Sequence, residues 1–103
     1  MEVFFIIANI TKKDVTSNLL RIIKENKKYL PGANNVEPKS YELKFEIGSE
    51  IHEVKYRVGE KRSGMLRIGT DVYKNKLCIK PGDRLRVTVL EMNRLYKIEK
   101  ANN

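Results

Sequence analysis

Two stretches of the chain combine basic side chains with short hydroxyl and amide side chains, a chemistry suited to binding phosphate groups and base edges. Residues 10–28 carry six basic and two acidic side chains, and residues 55–67 carry five basic and one acidic. Each stretch has a net charge of +4, and together they equal the +8 of the whole chain. Lysine and arginine attract phosphates, whereas Ser, Thr and Asn donate to phosphates or read bases. The pattern favours nucleic acid as a partner over scattered surface charge.

The residue types that usually perform catalysis are few. His52 is the only histidine, which excludes a His-based triad and a His-rich metal site. Two Glu-x-Lys triplets, 42–44 and 53–55, resemble parts of a metal-dependent nuclease site, but strands with polar outer faces produce such triplets by default. No glycine-rich phosphate loop is present. We therefore expect a non-catalytic domain with no metal and no cofactor.

Length, composition and cysteine content limit the class of protein. With 103 residues, of which 41% are hydrophobic, we expect one globular domain spanning 1–103. No apolar run approaches the roughly 20 residues of a membrane-spanning helix, and residues 3–8 are too short for a signal peptide. The single cysteine, Cys78, excludes internal disulfides and stands between two apolar residues, which predicts a small core residue. We expect a cytoplasmic protein.

The hydrophobic pattern predicts a mainly β fold with two short helices, arranged as a seven-stranded open barrel. Alternation is clearest in 41–47 and 54–58, which we interpret as a hairpin with a turn at 48–50. Helices are predicted over 24–30 and over 70–77, the second with Thr70 as its N-cap. The other predicted strands are 3–7, 19–23 (a strand or the start of a helix), 65–68, 84–90 and 95–99.

These elements place both basic clusters on projecting segments. Residues 11–18 follow the end of a strand and have the composition of a polar loop. In the second cluster, alternation puts Lys55 and Arg57 on one face of a strand and Arg67 outward on the next, with Lys61–Arg62 in the loop between. A basic hairpin of this kind fits a major groove, although charge on a hairpin also prevents edge-to-edge pairing.

Three segments, taken in order, resemble the B3-type DNA-binding domain, the pseudobarrel of plant transcription factors and of bacterial restriction enzymes such as EcoRII and BfiI. The first strand, arm and second strand of that family are similar to FFIIANITKKDVTSNLLRI, and its central hairpin is similar to YELKFEIGSEIHEVKYRV. The family's later strand, short helix and Gly-Asp turn are similar to GMLRIGTDVYKNKLCIKPGDRLRVTV. The resemblance covers most of the chain and implies double-stranded DNA as the partner.

The resemblance also assigns two arms that grip the major groove. Residues 11–18 match the N-arm, and residues 57–65 match the C-arm. Because the chain lacks the tryptophans of plant members, the bacterial restriction branch is the closer likeness. That branch implies a site-specific target-recognition module of a restriction–modification system, linked to or working with a nuclease or NTPase domain, as in McrB-like proteins.

The two clusters and the two arms together define the residues expected to contact DNA. The complete set is Lys12, Lys13, Thr16, Ser17, Asn18, Arg21, Lys24, Arg57, Lys61, Arg62, Ser63 and Arg67. Phosphate anchoring is expected from the lysines of the first cluster, namely Lys12, Lys13, Lys24, Lys27 and Lys28. Base contact is expected from Thr16, Ser17, Asn18, Arg57, Lys61, Arg62 and Ser63.

Three other functions stay open on the sequence. An RNA- or single-strand-binding barrel would need exposed aromatic rings, whereas Phe45 and Tyr56 fall on predicted inward positions. A small nuclease would use Glu53 and Lys55. An AbrB-type transcriptional regulator or oligomerisation domain shares the Gly-Asp turn, but its barrel is built from two chains.

Overall fold

A computed structural model describes residues 2–59 and 63–101, and within them the chain forms seven strands and three short helical segments. The strands are β1 Val3–Ile7, β2 Leu19–Ile22, β3 Lys39–Ile47, β4 Glu50–Val58, β5 Gly64–Arg67, β6 Leu85–Glu91 and β7 Leu95–Lys100. The helical segments are α1 Lys12–Ser17, α2 Lys24–Tyr29, a 3₁₀ helix, and α3 Val72–Lys76, a π-helical turn. In the part of the chain described, no helix is long and apolar enough to cross a membrane.

All seven strands belong to one sheet in the order β1-β6-β7-β3-β4-β5-β2. Neighbouring strands run antiparallel except β3 and β7, which are parallel. The two edge strands, β1 and β2, approach each other, so the sheet curls into a nearly closed barrel. The predicted seven-stranded open barrel is therefore confirmed, with three helical segments in place of two.

The barrel interior is filled by the inward side chains of every strand. Three large aromatic residues, Phe45, Tyr56 and Tyr96, have no solvent exposure, and the rings of Phe45 and Tyr96 stack with centroids 5.2 Å apart. Burying an aromatic or branched aliphatic side chain of this size contributes about 1.5–3 kcal/mol. Phe45 and Tyr56 point inward, as the alternation predicted.

The central hairpin explains the two Glu-x-Lys triplets. Gly48, with φ of +64°, makes the tight turn between β3 and β4. In the resulting register Glu42 lies opposite Lys55, and Lys44 lies opposite Glu53. Opposite charges directly across a strand pair stabilise the pairing. The triplets therefore have a structural role that requires no catalysis.

Residues 12–17 form a helix where the sequence predicted a polar loop. Thr11 and Asp14 form a reciprocal capping box, because the Thr11 hydroxyl accepts from Asp14 N and the Asp14 carboxylate accepts from Thr11 N, both at 3.1 Å. A capping box satisfies two amide groups that would otherwise lack partners at a helix start. The prediction of a loop was wrong because it overlooked this Thr-x-x-Asp spacing.

Two predictions near α3 were also wrong. Thr70 was expected to cap the helix, but its hydroxyl accepts a hydrogen bond from Asn18, and the helix start is marked by Tyr73 N donating to Gly69 O. Cys78 was expected in the core but is exposed. Its φ of +52° turns the side chain out between buried Leu77 and Ile79. Burial of two sequence neighbours therefore does not extend to the residue between them.

Gly64→Ala is expected to destabilise the barrel by about 1–3 kcal/mol, the usual cost of overpacking a core. A Cβ at this position would overlap the Tyr56 hydroxyl and lie 2.6 Å from the ring carbon Cε1. Tyr56 is fully buried and has no room to withdraw. The measurement is the urea unfolding midpoint.

The matched control for this prediction is Gly69→Ala. A Cβ at Gly69 meets no atom within 4 Å, so its midpoint should stay within the range of a neutral surface substitution. Equal midpoints for the two variants would contradict the packing of Gly64 against Tyr56.

Candidate nucleic-acid interface

Four neighbouring strands, β3, β4, β5 and β2, present a common outer surface rich in arginine and lysine. Pairing aligns the outward residues in two rows across the strands. One row contains Ser40, Arg57, Met65 and Arg21, and the other contains Glu42, Lys55, Arg67 and Leu19. We call these eight residues the basic face. The rows unite Arg21 of the first basic cluster with Lys55, Arg57 and Arg67 of the second.

A shallow recess lies within the basic face. Its volume is about 150 Å³. It is lined by Leu19, Ser40, Lys55, Arg57, Met65 and Arg67. Three cationic side chains and a hydroxyl therefore surround two half-buried apolar side chains, a combination that suits an anionic ligand with an apolar part.

Two arginines of the basic face are held by neighbouring polar side chains. Arg21 Nε donates to Asp14 Oδ1 at 3.1 Å, where the Asp14 side chain is only 4% exposed and that of Arg21 is 56% exposed. Arg57 Nη1 donates to Ser40 Oγ at 3.2 Å. Each guanidinium is thus anchored through one nitrogen, which leaves other donors for a ligand. The anchors reduce the freedom that the side chains would lose on binding.

The N-arm, residues 11–18, lies beside β2 as helix α1. Four of its expected contact residues are exposed to solvent: Lys12, Lys13, Thr16 and Ser17. The Thr16 hydroxyl donates to the Lys12 carbonyl oxygen at 3.0 Å within the helix. The structure therefore presents the two lysines on a short helix that leads directly into the basic face.

Asn18 joins the end of α1 to the segment between β5 and α3. It ends the helix in the left-handed conformation, with φ of +55°. Its side-chain Nδ2 donates to the Thr70 hydroxyl at 2.8 Å, and its backbone carbonyl oxygen accepts from Ile68 N at 3.2 Å. The side chain expected to contact a base is thus engaged in joining α1 to the β5–α3 junction.

Tyr73 of α3 fixes the start of β2 beneath the basic face. Its hydroxyl donates to the Leu19 carbonyl oxygen at 3.0 Å. Burial raises the pKa of Tyr73 to about 12, and the nearby Asp14 carboxylate adds to the rise. The phenol therefore stays protonated at physiological pH and keeps its role as donor.

The lysines of α2 divide into exposed and buried positions. Lys24 and Lys28 are exposed, as phosphate contacts would require. Lys27 is only 5% exposed, and its Nζ donates to the Gly59 carbonyl oxygen at 2.6 Å. The expectation that Lys27 anchors phosphate was therefore wrong, because this ammonium group is inside the protein. Lys27 instead holds the root of the β4–β5 loop.

The C-arm, residues 57–65, is described only at its two ends. Arg57 and Met65 belong to the basic face, and Ser63 is exposed. The expected contacts Lys61 and Arg62 lie outside the described residues. Arg67, the remaining member of the expected set, is exposed on β5.

Three of the four cationic side chains of the basic face have no ion-pair partner in the described part of the chain. The fourth, Arg21, pairs with Asp14. Away from this face the described ion pairs of lysine and arginine are Lys76–Glu50, Arg86–Glu2, Arg94–Glu91 and Lys100–Asp83. By contrast, Lys55, Arg57 and Arg67 have no acidic partner within ion-pair distance among residues 2–59 and 63–101. Since these three side chains lie on adjacent strands, their positive charge is concentrated on one surface, where Glu42 is the single acidic member of the eight residues of the basic face.

Two of the carboxyl groups that pair with lysines away from the basic face have lowered pKa values. A hydrogen bond from Lys76 lowers the pKa of Glu50, and the charge of Lys76 adds to the effect. The backbone amide of Lys80 lowers the pKa of Asp83, with further help from Lys100. Both carboxylates are thus ionised at neutral pH beside the lysines that they neutralise.

His52 and the clusters of acidic side chains are the places where the sequence offers residue types suited to metal binding or catalysis. No group of three or more His, Cys, Asp or Glu side chains is placed to hold a metal ion within 2–59 and 63–101. His52 lies near the end of the barrel, where its Nε2 is 3.7 Å from Glu50 Oε1. Glu50 is in turn paired with Lys76, so the charged neighbours of His52 are a carboxylate and an ammonium group and not a nucleophile.

The expected set of contact residues did not include five residues that line the recess or anchor an arginine of the basic face. Ser40, Leu19 and Met65 line the recess, and buried Asp14 anchors Arg21. Strand alternation marks the first three as outward positions, but only the pairing of β2 with β5 shows that they share one surface. Lys55 was placed on this face by alternation but not included among the contacts.

The strand order and the positions of the helices define a B3-type pseudobarrel, the fold that the sequence resemblance predicted. A solved structure with this fold is the Arabidopsis FUS3–DNA complex, which matches with a TM-score of 0.69 and 20% sequence identity. The match covers 97% of this chain and 98% of that chain. It is a plant protein, so it supports the fold and not the bacterial branch. No protein-family model and no curated protein sequence matches the chain.

Lys27→Met is expected to lower stability by about 1–3 kcal/mol, because it removes the donor that satisfies the Gly59 carbonyl at the loop root. Methionine keeps the unbranched shape of the side chain, so packing changes little. The measurement is chemical unfolding followed by circular dichroism. Lys24→Met, at an exposed position three residues earlier, is the control and should unfold like the wild type. An unchanged midpoint for Lys27→Met would show that the bond contributes nothing.

Proposed function

We propose that the chain is a sequence-specific double-stranded DNA-binding domain that uses the basic face together with the N-arm and the C-arm. The observation that carries the proposal is the gathering of Lys55, Arg57 and Arg67 on one surface, with no acidic side chain of the described residues within ion-pair distance of them. Grouping like charges costs free energy in the free protein, and a polyanion removes that cost. A DNA duplex is such a polyanion, with a regular spacing of phosphates.

The proposed contacts divide by chemistry. Lys12, Lys13 and Lys24 attract phosphates, since a flexible ammonium group suits a backbone contact without sequence information. Arg21 and Arg57 read base edges, because an arginine fork matches the acceptors O6 and N7 of guanine in the major groove. Their anchoring through Asp14 and Ser40 favours a fixed register on the bases over a diffuse charge contact.

The fold gives independent support. The solved structure that shares it over nearly the whole chain is a protein in complex with DNA. The sequence resemblance adds the finer proposal that this domain serves as the target-recognition module of a restriction–modification system, with a linked or associated nuclease or NTPase. That finer role rests on the three similar segments and the absence of tryptophan.

The alternative functions have weaker support in the structure. A single-strand-binding surface needs aromatic rings on which bases stack, but the recess is lined by aliphatic and cationic residues and a serine. Phe45 and Tyr56 are buried in the core. An AbrB-type barrel is assembled from two chains, whereas here the seven strands of one chain form a single sheet.

Replacing both Arg57 and Arg67 with glutamine is expected to weaken binding to a duplex selected from a random library. A correctly paired arginine contributes about 1–3 kcal/mol of discrimination, which Arg57→Gln removes. Arg67→Gln removes the neighbouring positive charge on β5, so the double variant should lose at least tenfold in affinity. The measurement is fluorescence anisotropy at two salt concentrations, because the phosphate contribution falls as salt rises.

Arg94→Gln is the matched control for this experiment. Arg94 is exposed in the β6–β7 turn, outside the basic face and near Glu91. Its replacement should leave duplex affinity unchanged. Equal loss of affinity in Arg94→Gln and in the double variant would show that binding follows net charge and does not use the basic face.

A further inference from the structure

Two apolar side chains interrupt the cationic surface of the basic face, and we call them the apolar floor. Leu19 of β2 and Met65 of β5 are half-buried, and both line the recess of about 150 Å³. They occupy diagonal positions on adjacent strands, a separation that long side chains bridge. The other residues that line the recess are Ser40, Lys55, Arg57 and Arg67. Under the proposed function, the floor is therefore surrounded by side chains of the DNA-binding surface.

We propose that the Leu19–Met65 floor receives the 5-methyl group of a pyrimidine in the major groove, and so makes the domain selective for that methyl. The inference rests on the proposed function and adds the feature of the base that is read. The major-groove edge of a base pair is polar apart from this methyl group, which thymine carries at C5. The same group is present on 5-methylcytosine, so one apolar floor would accept either base.

The position of the floor between arginines supports this assignment. Pairing places Met65 directly between Arg21 on β2 and Arg57 on β4. Neighbouring strands are about 4.8 Å apart, and successive bases are about 3.4 Å apart along a strand. A pyrimidine methyl seated on Met65 therefore lies within one or two base pairs of the positions that Arg21 and Arg57 reach.

The chemistry of the neighbours explains why an apolar floor is useful here. A polar side chain between two arginines would compete for their donors, whereas Met65 and Leu19 leave both guanidinium groups available for guanine. A methyl group buried on the floor loses contact with water, which favours the methylated base by about fourfold. The recess exceeds the size of a methyl group, so the base can approach without displacing the surrounding cations.

The test uses three random duplex pools, one with ordinary bases, one with uracil in place of thymine, and one with 5-methylcytosine in place of cytosine. The wild-type chain is used to enrich each pool, and single duplexes are then compared by anisotropy. The proposal expects a position at which loss of the methyl weakens binding by about fourfold. Preference for thymine over uracil shows that the bound methyl group belongs to thymine. Preference for 5-methylcytosine over cytosine shows that it belongs to 5-methylcytosine.

The variant Met65→Gln should lose the preference for the methyl group and keep the preference for guanine at the flanking positions. Met65→Leu should keep both preferences. Met92→Gln is the matched control, since Met92 is exposed in the β6–β7 turn. Equal binding of the wild type to methylated and unmethylated duplexes would overturn the proposal, a result that needs no variant. Retained methyl preference in folded Met65→Gln would also overturn it. Failure to enrich any pool would instead contradict the proposed function itself, and the inference with it.

Discussion

The pairing of β2 with β5 is the interaction on which the candidate interface depends. The two basic clusters lie far apart along the chain: the first comprises α1, β2 and most of α2, and the second comprises parts of β4 and β5 with the segment between them. Pairing of Leu19 with Arg67 and of Arg21 with Met65 brings them onto one surface. The bond from Ile68 N to the Asn18 carbonyl and the bond from the Asn18 amide to Thr70 hold α1 at the same junction. The pairing of β4 with β5 gathers Lys55, Arg57 and Arg67. The pairing of β2 with β5 then adds Arg21, Leu19 and the end of α1 to the same surface.

Buried Asp14 links the start of α1 to that surface. Its carboxylate accepts from Thr11 N, which begins the helix, and from Arg21 Nε, which aims an arginine outward. One side chain therefore determines both the presence of the helix and the position of a donor on the basic face. A buried carboxylate requires such partners, because an unpaired charge in the interior costs several kcal/mol. The local fold and the candidate chemistry thus share one constraint.

Strand alternation made much of this structure predictable. The hairpin of β3 and β4, the inward positions of Phe45 and Tyr56, and the outward positions of Lys55, Arg57 and Arg67 follow from residue patterns with a period of two. Strand β2 was left open as a strand or the start of a helix. The strand pairing did not follow from such patterns, because which strands become neighbours depends on contacts across the whole chain. For that reason the sequence did not predict the recess, whose lining residues come from β2, β3, β4 and β5.

The failed predictions each concern an interaction that short patterns do not encode. Lys27 is of a residue type that usually lies on the surface, but its ammonium group donates a hydrogen bond to the carbonyl oxygen of Gly59, 32 positions further along the chain. Cys78 sits between two core residues and turns outward through a left-handed backbone. Helix α1 is the exception, since the Thr11-x-x-Asp14 spacing is a local signal that was present in the sequence.

The most direct test of the account is the map of backbone amide chemical shifts that change when a duplex of a selected sequence is added to the isotopically labelled chain. The account predicts changes along β2, β5 and the first half of α1, and at Lys55 and Arg57 of β4. It predicts no change in the β6–β7 turn, where Arg94 is paired with Glu91. Shifts concentrated in β6 and β7, with β2 and β5 unaffected, would contradict it.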